Sequence, residues 1–175
     1  MTHPKVQIVL ILENKPSLNL SKQYEAQRYS LLLLQTNKKR GCFWQNITGS
    51  VEKEDGQKSA GATELTWLIA AQRELFEETQ IKLSLTQFID LKMDAKFTDI
   101  KGRNVEEKCF LATYKENKPE IIIDPKEHQN YRWVSVGEVQ RNFYKYGLNY
   151  ECFLKALEIL RISPNKHQID HYEEE

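Results

Sequence analysis

Apolar positions in this chain fall into dense runs early and into spaced series later. Val6–Leu12 is almost uninterrupted and rich in branched side chains, which predicts a buried strand. Arg28–Gln35, carrying Leu31-Leu32-Leu33-Leu34, predicts a second buried strand. Residues 14–26 between them are polar, hold Pro16 and Asn19, and read as a long loop. Asn37-Lys38-Lys39-Arg40-Gly41 reads as a basic turn, and Phe43–Glu52 as a strand with a glycine turn at Gly49. Residues 53–63, rich in Gly, Lys, Ser and Asp, read as surface loop.

From Thr63 the period changes. Leu68, Ala71, Leu75 and Thr79 recur every three or four residues, which predicts a helix over 63–79 with that side toward the core. Thr63 is its expected N-cap, without a capping box to Thr66. Further strands are expected over Leu85–Met93, Glu107–Tyr114 and Tyr131–Val134, and a short helix over Val136–Phe143. Phe153, Leu154, Leu157 and Leu160 mark a terminal helix over Tyr150–Leu160. Ser163–Glu175 is polar, contains Pro164 near its start, and reads as a frayed tail. No repeat or linker divides the chain, so one domain is expected over 1–162, followed by the tail 163–175. This order of elements predicts an α/β sandwich with a mixed sheet rather than a doubly wound parallel one.

Composition narrows the partners. The 175 residues can bury a sizeable core. Lys plus Arg and Asp plus Glu each number 25, a balance without the basic footprint of a duplex nucleic-acid binder. Runs such as Ile8–Leu12 are too short to span a bilayer, and the first residues lack a signal-peptide pattern. Cys42, Cys109 and Cys152 are widely spaced and form no CxxC pair, so free buried thiols in a reducing cytosol are expected. The expectation is a soluble cytoplasmic protein with a small-molecule partner.

The chemistry concentrates in Arg73-Glu74-Leu75-Phe76-Glu77-Glu78-Thr79. With Leu75 at the centre of the buried face, Glu74 and Glu78 lie on one flank, about 40° apart at roughly 100° per residue. Glu77 falls further round, with Arg73 placed to pair with it at i, i+4. Two readings fit this pattern. A solvated acidic face would cost only about 0.2–0.5 kcal/mol per like-charge pair. A partly buried cluster would cost about 3 kcal/mol per pair and require a cation, with hard oxygen ligands suited to Mg²⁺ or Mn²⁺.

Upstream context favours the second reading. Phe43-Trp44-Gln45-Asn46-Ile47-Thr48-Gly49-Ser50-Val51-Glu52 precedes the helix, and with Arg73–Ile81 it resembles the Nudix hydrolase motif. That motif runs Gly, five residues, Glu, seven residues, then Arg-Glu-apolar-x-Glu-Glu-x-Gly-apolar. Gln80 stands where the family has Gly, a left-handed cap that costs on the order of 1 kcal/mol. Gly49 to Arg73 spans 24 positions where the family spans 14, so ten extra residues are expected to loop out within 53–63. The motif's first Glu finds no match when counted back from Arg73, since Glu64 is one position out of register.

The resemblance implies the Nudix α/β/α sandwich with a mixed β-sheet and metal-dependent hydrolysis of a phosphoanhydride. It implies Glu74, Glu78 and Glu77 as ligands of Mg²⁺, with Mn²⁺ as substitute, and a contact from the Gly49 carbonyl. It implies catalytic roles for Glu77, for Arg73 as the holder of a glutamate, and for Glu127 as general base. Residues 43–52 and Glu127-His128-Gln129-Asn130-Tyr131-Arg132-Trp133 are similar to the bacterial dihydroneopterin triphosphate diphosphatase branch. The implied substrate is a pterin or nucleoside triphosphate, cleaved to pyrophosphate and a monophosphate. Trp44, Gln45 and Thr48 are candidate substrate contacts. His128 reads as structural, Trp133 as core and Lys38-Lys39-Arg40 as a solvated turn. Leu34-Gln35-Thr36 lacks an Arg common in that branch, which leaves substrate preference open. Broader nucleotide or RNA-cap pyrophosphohydrolases and a silent nucleotide-sensing module are the alternatives.

Overall fold

The computed structural model describes residues 1–14, 26–56, 61–115, 117–165 and 168. Most of the expected loop 14–26 and part of 53–63 therefore lie outside the described residues.

The two expected buried strands form the middle of one sheet. β1 (His3–Glu13) runs parallel to β6 (Asn104–Tyr114) along its length. Its other edge pairs antiparallel with β2 (Tyr29–Thr36) at one end and β4 (Ile47–Ser50) at the other. β3 (Trp44–Gln45) and β7 (His128–Ser135) flank β2, and β5 (Phe88–Thr98) flanks β6, all antiparallel. The sheet is mixed, as the element order predicts, with seven strands among the described residues.

Alternation along β1 divides the core. Val6, Ile8 and Leu10 face α1 (Glu64–Thr79), where Trp67, Ala70, Ala71 and Leu75 complete a buried cluster. Val9 and Ile11 face α2 (Gly147–Leu160) and meet Phe153, Ala156 and Leu157. An α/β/α sandwich results, because a sheet apolar on both faces needs a helix on each.

Several boundaries differ from expectation for local reasons. The Thr63 cap does form a capping box: its hydroxyl accepts from the Thr66 backbone while the Thr66 hydroxyl accepts from Thr63 N at 3.2 Å. Gln80 closes α1 at φ 64, the left-handed cap expected without glycine. The helix expected over 136–143 is instead two 3₁₀ turns, Val136–Glu138 and Arg141–Phe143. The buried Gln168 amide donates to the carbonyls of Val136 and Val139 at 3.0 and 2.7 Å, so this tail residue is anchored.

The cysteine expectation is overturned. Cys109 faces the α2 layer from β6, Cys152 lies on the inner side of α2, and the two form a disulfide. Cys42 is free but exposed. A buried polar junction also ties the layers together: Asn46 donates to the Gln7 side chain and the Asn149 carbonyl, and accepts from Tyr144. No helix among the described residues is long and apolar enough to cross a membrane.

Candidate active site

α1 lays its carboxylates along β4. Glu74 and Glu78, one turn apart, keep only 7 % and 3 % exposure, whereas Glu77 projects into solvent. Gly49 in β4 lies directly under Glu74, and a Cβ built there would fall on the carboxyl group. Space, rather than backbone conformation, demands glycine at this position.

Arg73 holds the neighbourhood together. Its Nε and Nη2 donate to the two carboxylate oxygens of Asp55 at 2.8 and 2.9 Å, and Nη2 also reaches the Ser50 carbonyl at 2.8 Å. Its Nη1 donates to Glu74 and Glu77, each at 3.0 Å. The expected i, i+4 pair is present, and Asp55 adds a bidentate bridge that sequence reading missed. Burial opposes ionisation of Asp55, but the Arg73 hydrogen bonds, the Glu52 backbone N–H and the Arg73 charge together outweigh it and hold the carboxyl below its usual range.

The late loop reaches the same edge. Asn37 receives and anchors this loop: its N–H donates to the Glu127 carbonyl at 3.0 Å and its amide to the Lys126 carbonyl at 2.7 Å. Arg40 Nη1 lies 3.3 Å from Glu127 Oε2, so the basic turn expected to be merely solvated orients an acidic residue. One oxygen each of Glu78 and Glu127 and a ring nitrogen of His128 lie within 4.8 Å of one another. Gln45 is buried beside them, its amide nitrogen 3.1 Å from His128 Nε2.

Burial dominates the electrostatics here. It lifts the Glu74 carboxyl to about 7 against the opposing charge of Arg73. Glu78 is pushed well above the ordinary carboxyl range by burial, then by the charges of Glu74 and Glu127. Burial, helped by the charge of Arg40, lowers His128 to about 4, so its ring is neutral near pH 7.

Among the described residues, no hydrogen-bond donor reaches either oxygen of the ionised Glu78 carboxylate. An ionised carboxylate buried in this way is strongly destabilised unless a cation neutralises it. Oxygen donors from Glu74, Glu78 and Glu127 suit a hard divalent ion that keeps open positions for phosphate oxygens. The residues present therefore fit a divalent cation, and the solvated-face reading fails for Glu74 and Glu78.

The remaining candidates separate by strand alternation. Gln45 lies on the α1 side with the carboxylates. Trp44 faces the α2 side, its ring 5.0 Å from the Arg132 guanidinium. Thr48 pairs with Gln7 and shares that second side. Trp133 is partly buried against the α1-side core.

The NUDIX domain family model matches residues 16–156. The chain belongs to the Nudix family. It is a hydrolase acting on phosphorus-containing anhydrides. A Caenorhabditis elegans Ap4A hydrolase structure aligns at TM-score 0.65 and 20 % identity, covering 91 % of this chain and 98 % of that one. The Escherichia coli dihydroneopterin triphosphate pyrophosphohydrolase aligns at TM-score 0.56 and 21 % identity, covering 85 % and 91 %. The NUDIX domain of Shewanella oneidensis NrtR, complexed with ADP ribose, aligns at 0.63 and 17 %, covering 91 % and 89 %. No curated protein matches the sequence.

The Nudix pattern also locates Asp55. Counted forward from Gly49, five residues precede it, so it occupies the position of the motif's first Glu. Seventeen residues then separate Asp55 from Arg73 where the family has seven. The insertion thus follows Asp55, and the turn Lys53–Asp55 belongs to the motif. Sequence reading went astray by counting back from Arg73, across the inserted residues.

Proposed function

We propose that this Nudix hydrolase is a divalent-metal-dependent pyrophosphohydrolase of a pterin or nucleoside triphosphate, of the dihydroneopterin triphosphate type, releasing pyrophosphate and a monophosphate. The observation that carries the reading is the pair of buried glutamates, Glu74 and Glu78, the second with both oxygens unsatisfied among the described residues and one of them close to Glu127. Mg²⁺ held there supplies charge neutralisation for the polyphosphate oxygens and lowers the pKa of water.

The protein's own groups do the rest. Glu74 and Glu78 hold the cation, and Gly49 leaves room for the Glu74 carboxyl. Arg73 fixes Glu74 by its 3.0 Å contact and locks the Ser50–Asp55 turn against the helix. Glu127, partly open to solvent and with Oε2 steadied by Arg40, lends one oxygen to the cation and is the proposed acceptor of a proton from the attacking water. Exposed Glu77 is tied to Arg73 at 3.0 Å and is proposed to bond to waters around the ion. Gln45 is the candidate from β3–β4 nearest these groups.

The substrate part of the proposal rests on residues 43–52 and 127–133, which are similar to the dihydroneopterin triphosphate branch. Dinucleoside polyphosphates form the second reading, favoured by the fit to the Ap4A hydrolase fold over nearly all of that chain. A catalytically silent nucleotide-sensing module is disfavoured by the retained glutamates. Product analysis with Mg²⁺ separates these readings, using dihydroneopterin triphosphate, common nucleoside triphosphates, Ap4A and ADP-ribose. The proposal expects pyrophosphate from the first at the highest kcat/KM. Preferential cleavage of Ap4A, or binding of ADP-ribose without turnover of any member, would overturn it.

A further inference from the structure

We infer that His128 supplies an imidazole ligand to a cation shared with Glu78 and Glu127, so that this site prefers Mn²⁺ and later divalent ions over Mg²⁺. The inference rests on the metal-dependent reading above and extends it from an all-oxygen site to a mixed nitrogen and oxygen one.

Three observations lead there. A ring nitrogen of His128 and one oxygen from each of Glu78 and Glu127 converge within 4.8 Å, a span one ion can bridge. His128 is fully buried and, among the described residues, neither its Nδ1 nor either oxygen of the ionised Glu78 carboxylate has a hydrogen-bond partner. The other ring nitrogen, Nε2, is occupied by the Gln45 side-chain amide at 3.1 Å.

The Gln45 contact decides what Nδ1 can do. If the amide nitrogen of Gln45 donates to Nε2, the proton sits on Nδ1 and becomes a buried donor without an acceptor, which costs about 1–3 kcal/mol. If the amide is turned so that its oxygen accepts from Nε2–H, Nδ1 carries a lone pair instead. The second arrangement is that of a metal-ligating histidine whose far nitrogen is fixed by a hydrogen bond. It leaves Nδ1 and both Glu78 oxygens unsatisfied, in a cluster where a His128 ring nitrogen, a Glu78 oxygen and a Glu127 oxygen lie close enough for one cation. An ordinary core histidine would need a protein partner for Nδ1, and none is present among the described residues.

Imidazole changes the selectivity. Mg²⁺ favours oxygen and holds its water, whereas affinity at nitrogen sites rises from Mn²⁺ toward Co²⁺ and Ni²⁺. Gln45 then acts as a positioning residue for the ring.

The test uses tag-free full-length protein, stripped of metal and loaded with Mn²⁺ in a nitrogen-free buffer without nucleotide. Electron spin-echo envelope modulation of the bound Mn²⁺ is expected to show a directly coordinated nitrogen. The pattern should change when histidine is labelled with the heavy nitrogen isotope, and vanish in His128→Leu. The wild-type and labelled measurements stand even if that variant fails to fold. Competition titration should show Mn²⁺ bound at least about tenfold more tightly than Mg²⁺, a margin reduced in Gln45→Leu. Bound Mn²⁺ without nitrogen modulation would overturn the inference and leave the hydrolase reading intact. Failure of that reading would appear separately, as hydrolysis indifferent to chelator.

Discussion

Arg73 clasps both carboxylate oxygens of Asp55, at 2.8 and 2.9 Å, across an insertion of ten residues beyond the family spacing. The bridge closes the inserted segment at its base, so extra chain length leaves the glutamate helix and the Gly49 strand in register. Asp55→Asn should therefore destabilise the protein by about 3 kcal/mol, because a mostly buried guanidinium loses its principal counter-charge. Urea denaturation checks this. A loss below about 1 kcal/mol would show that Glu74 and Glu77 suffice to hold Arg73.

Gly49→Ala places a methyl group where the Glu74 carboxyl sits. The carboxylate must turn away, and the Mg²⁺ concentration needed for half-maximal activity should rise by about tenfold or more. Magnesium titration of the rate measures it. An unchanged requirement would place Glu74 outside the metal site.

Glu127→Gln keeps the shape of the late loop but removes the proton acceptor. Turnover should drop by about two orders of magnitude with little change in thermal stability, since the Glu127 side chain is about half exposed. Steady-state kinetics and a melting curve together decide it. Full turnover removes Glu127 from the mechanism.

The metal-free protein should lose stability as pH rises. Glu74 titrates at about 7 when folded against an ordinary 4.5, so the folded state keeps a proton that the unfolded chain releases between those values. At ~1.36 kcal/mol per pH unit this costs up to about 3 kcal/mol, and buried Glu78 acts in the same direction. His128 acts oppositely: its folded value of about 4 against 6.5 removes stability as pH falls through that window. The two offset below 6.5, and the carboxyl effect stands alone above it. Denaturation in chelator at pH 6.5 and at about pH 8 should show the lower stability at the higher pH, with a smaller drop in Glu74→Gln. Equal drops in both proteins would contradict the assignment.

Much of this was legible in the chain. The unbroken apolar runs of β1 and β2 gave the doubly covered strands, and Leu75 fixed which way the glutamates of α1 face. Gln80 was readable as a left-handed cap. The rest depended on distance along the chain. Asp55 was hidden because the insertion breaks the count from Arg73 and becomes visible only when counting from Gly49. Trp44 and Gln45 are adjacent, yet strand alternation sends them to opposite faces, and which faces α1 is settled by pairing with β2. Cys109 and Cys152, 43 residues apart, meet only because β6 and α2 pack together. Burial of His128 against Gln45 likewise exists only in three dimensions.

Hydrolysis of dihydroneopterin triphosphate, followed by pyrophosphate release with Mg²⁺, with strong chelator, and in Glu78→Gln, tests the central claim most directly. A cation held by the buried glutamates requires that chelator abolish the reaction and that the substitution slow it by about a hundredfold or more. Undiminished pyrophosphate release in chelator, or from Glu78→Gln, would contradict it.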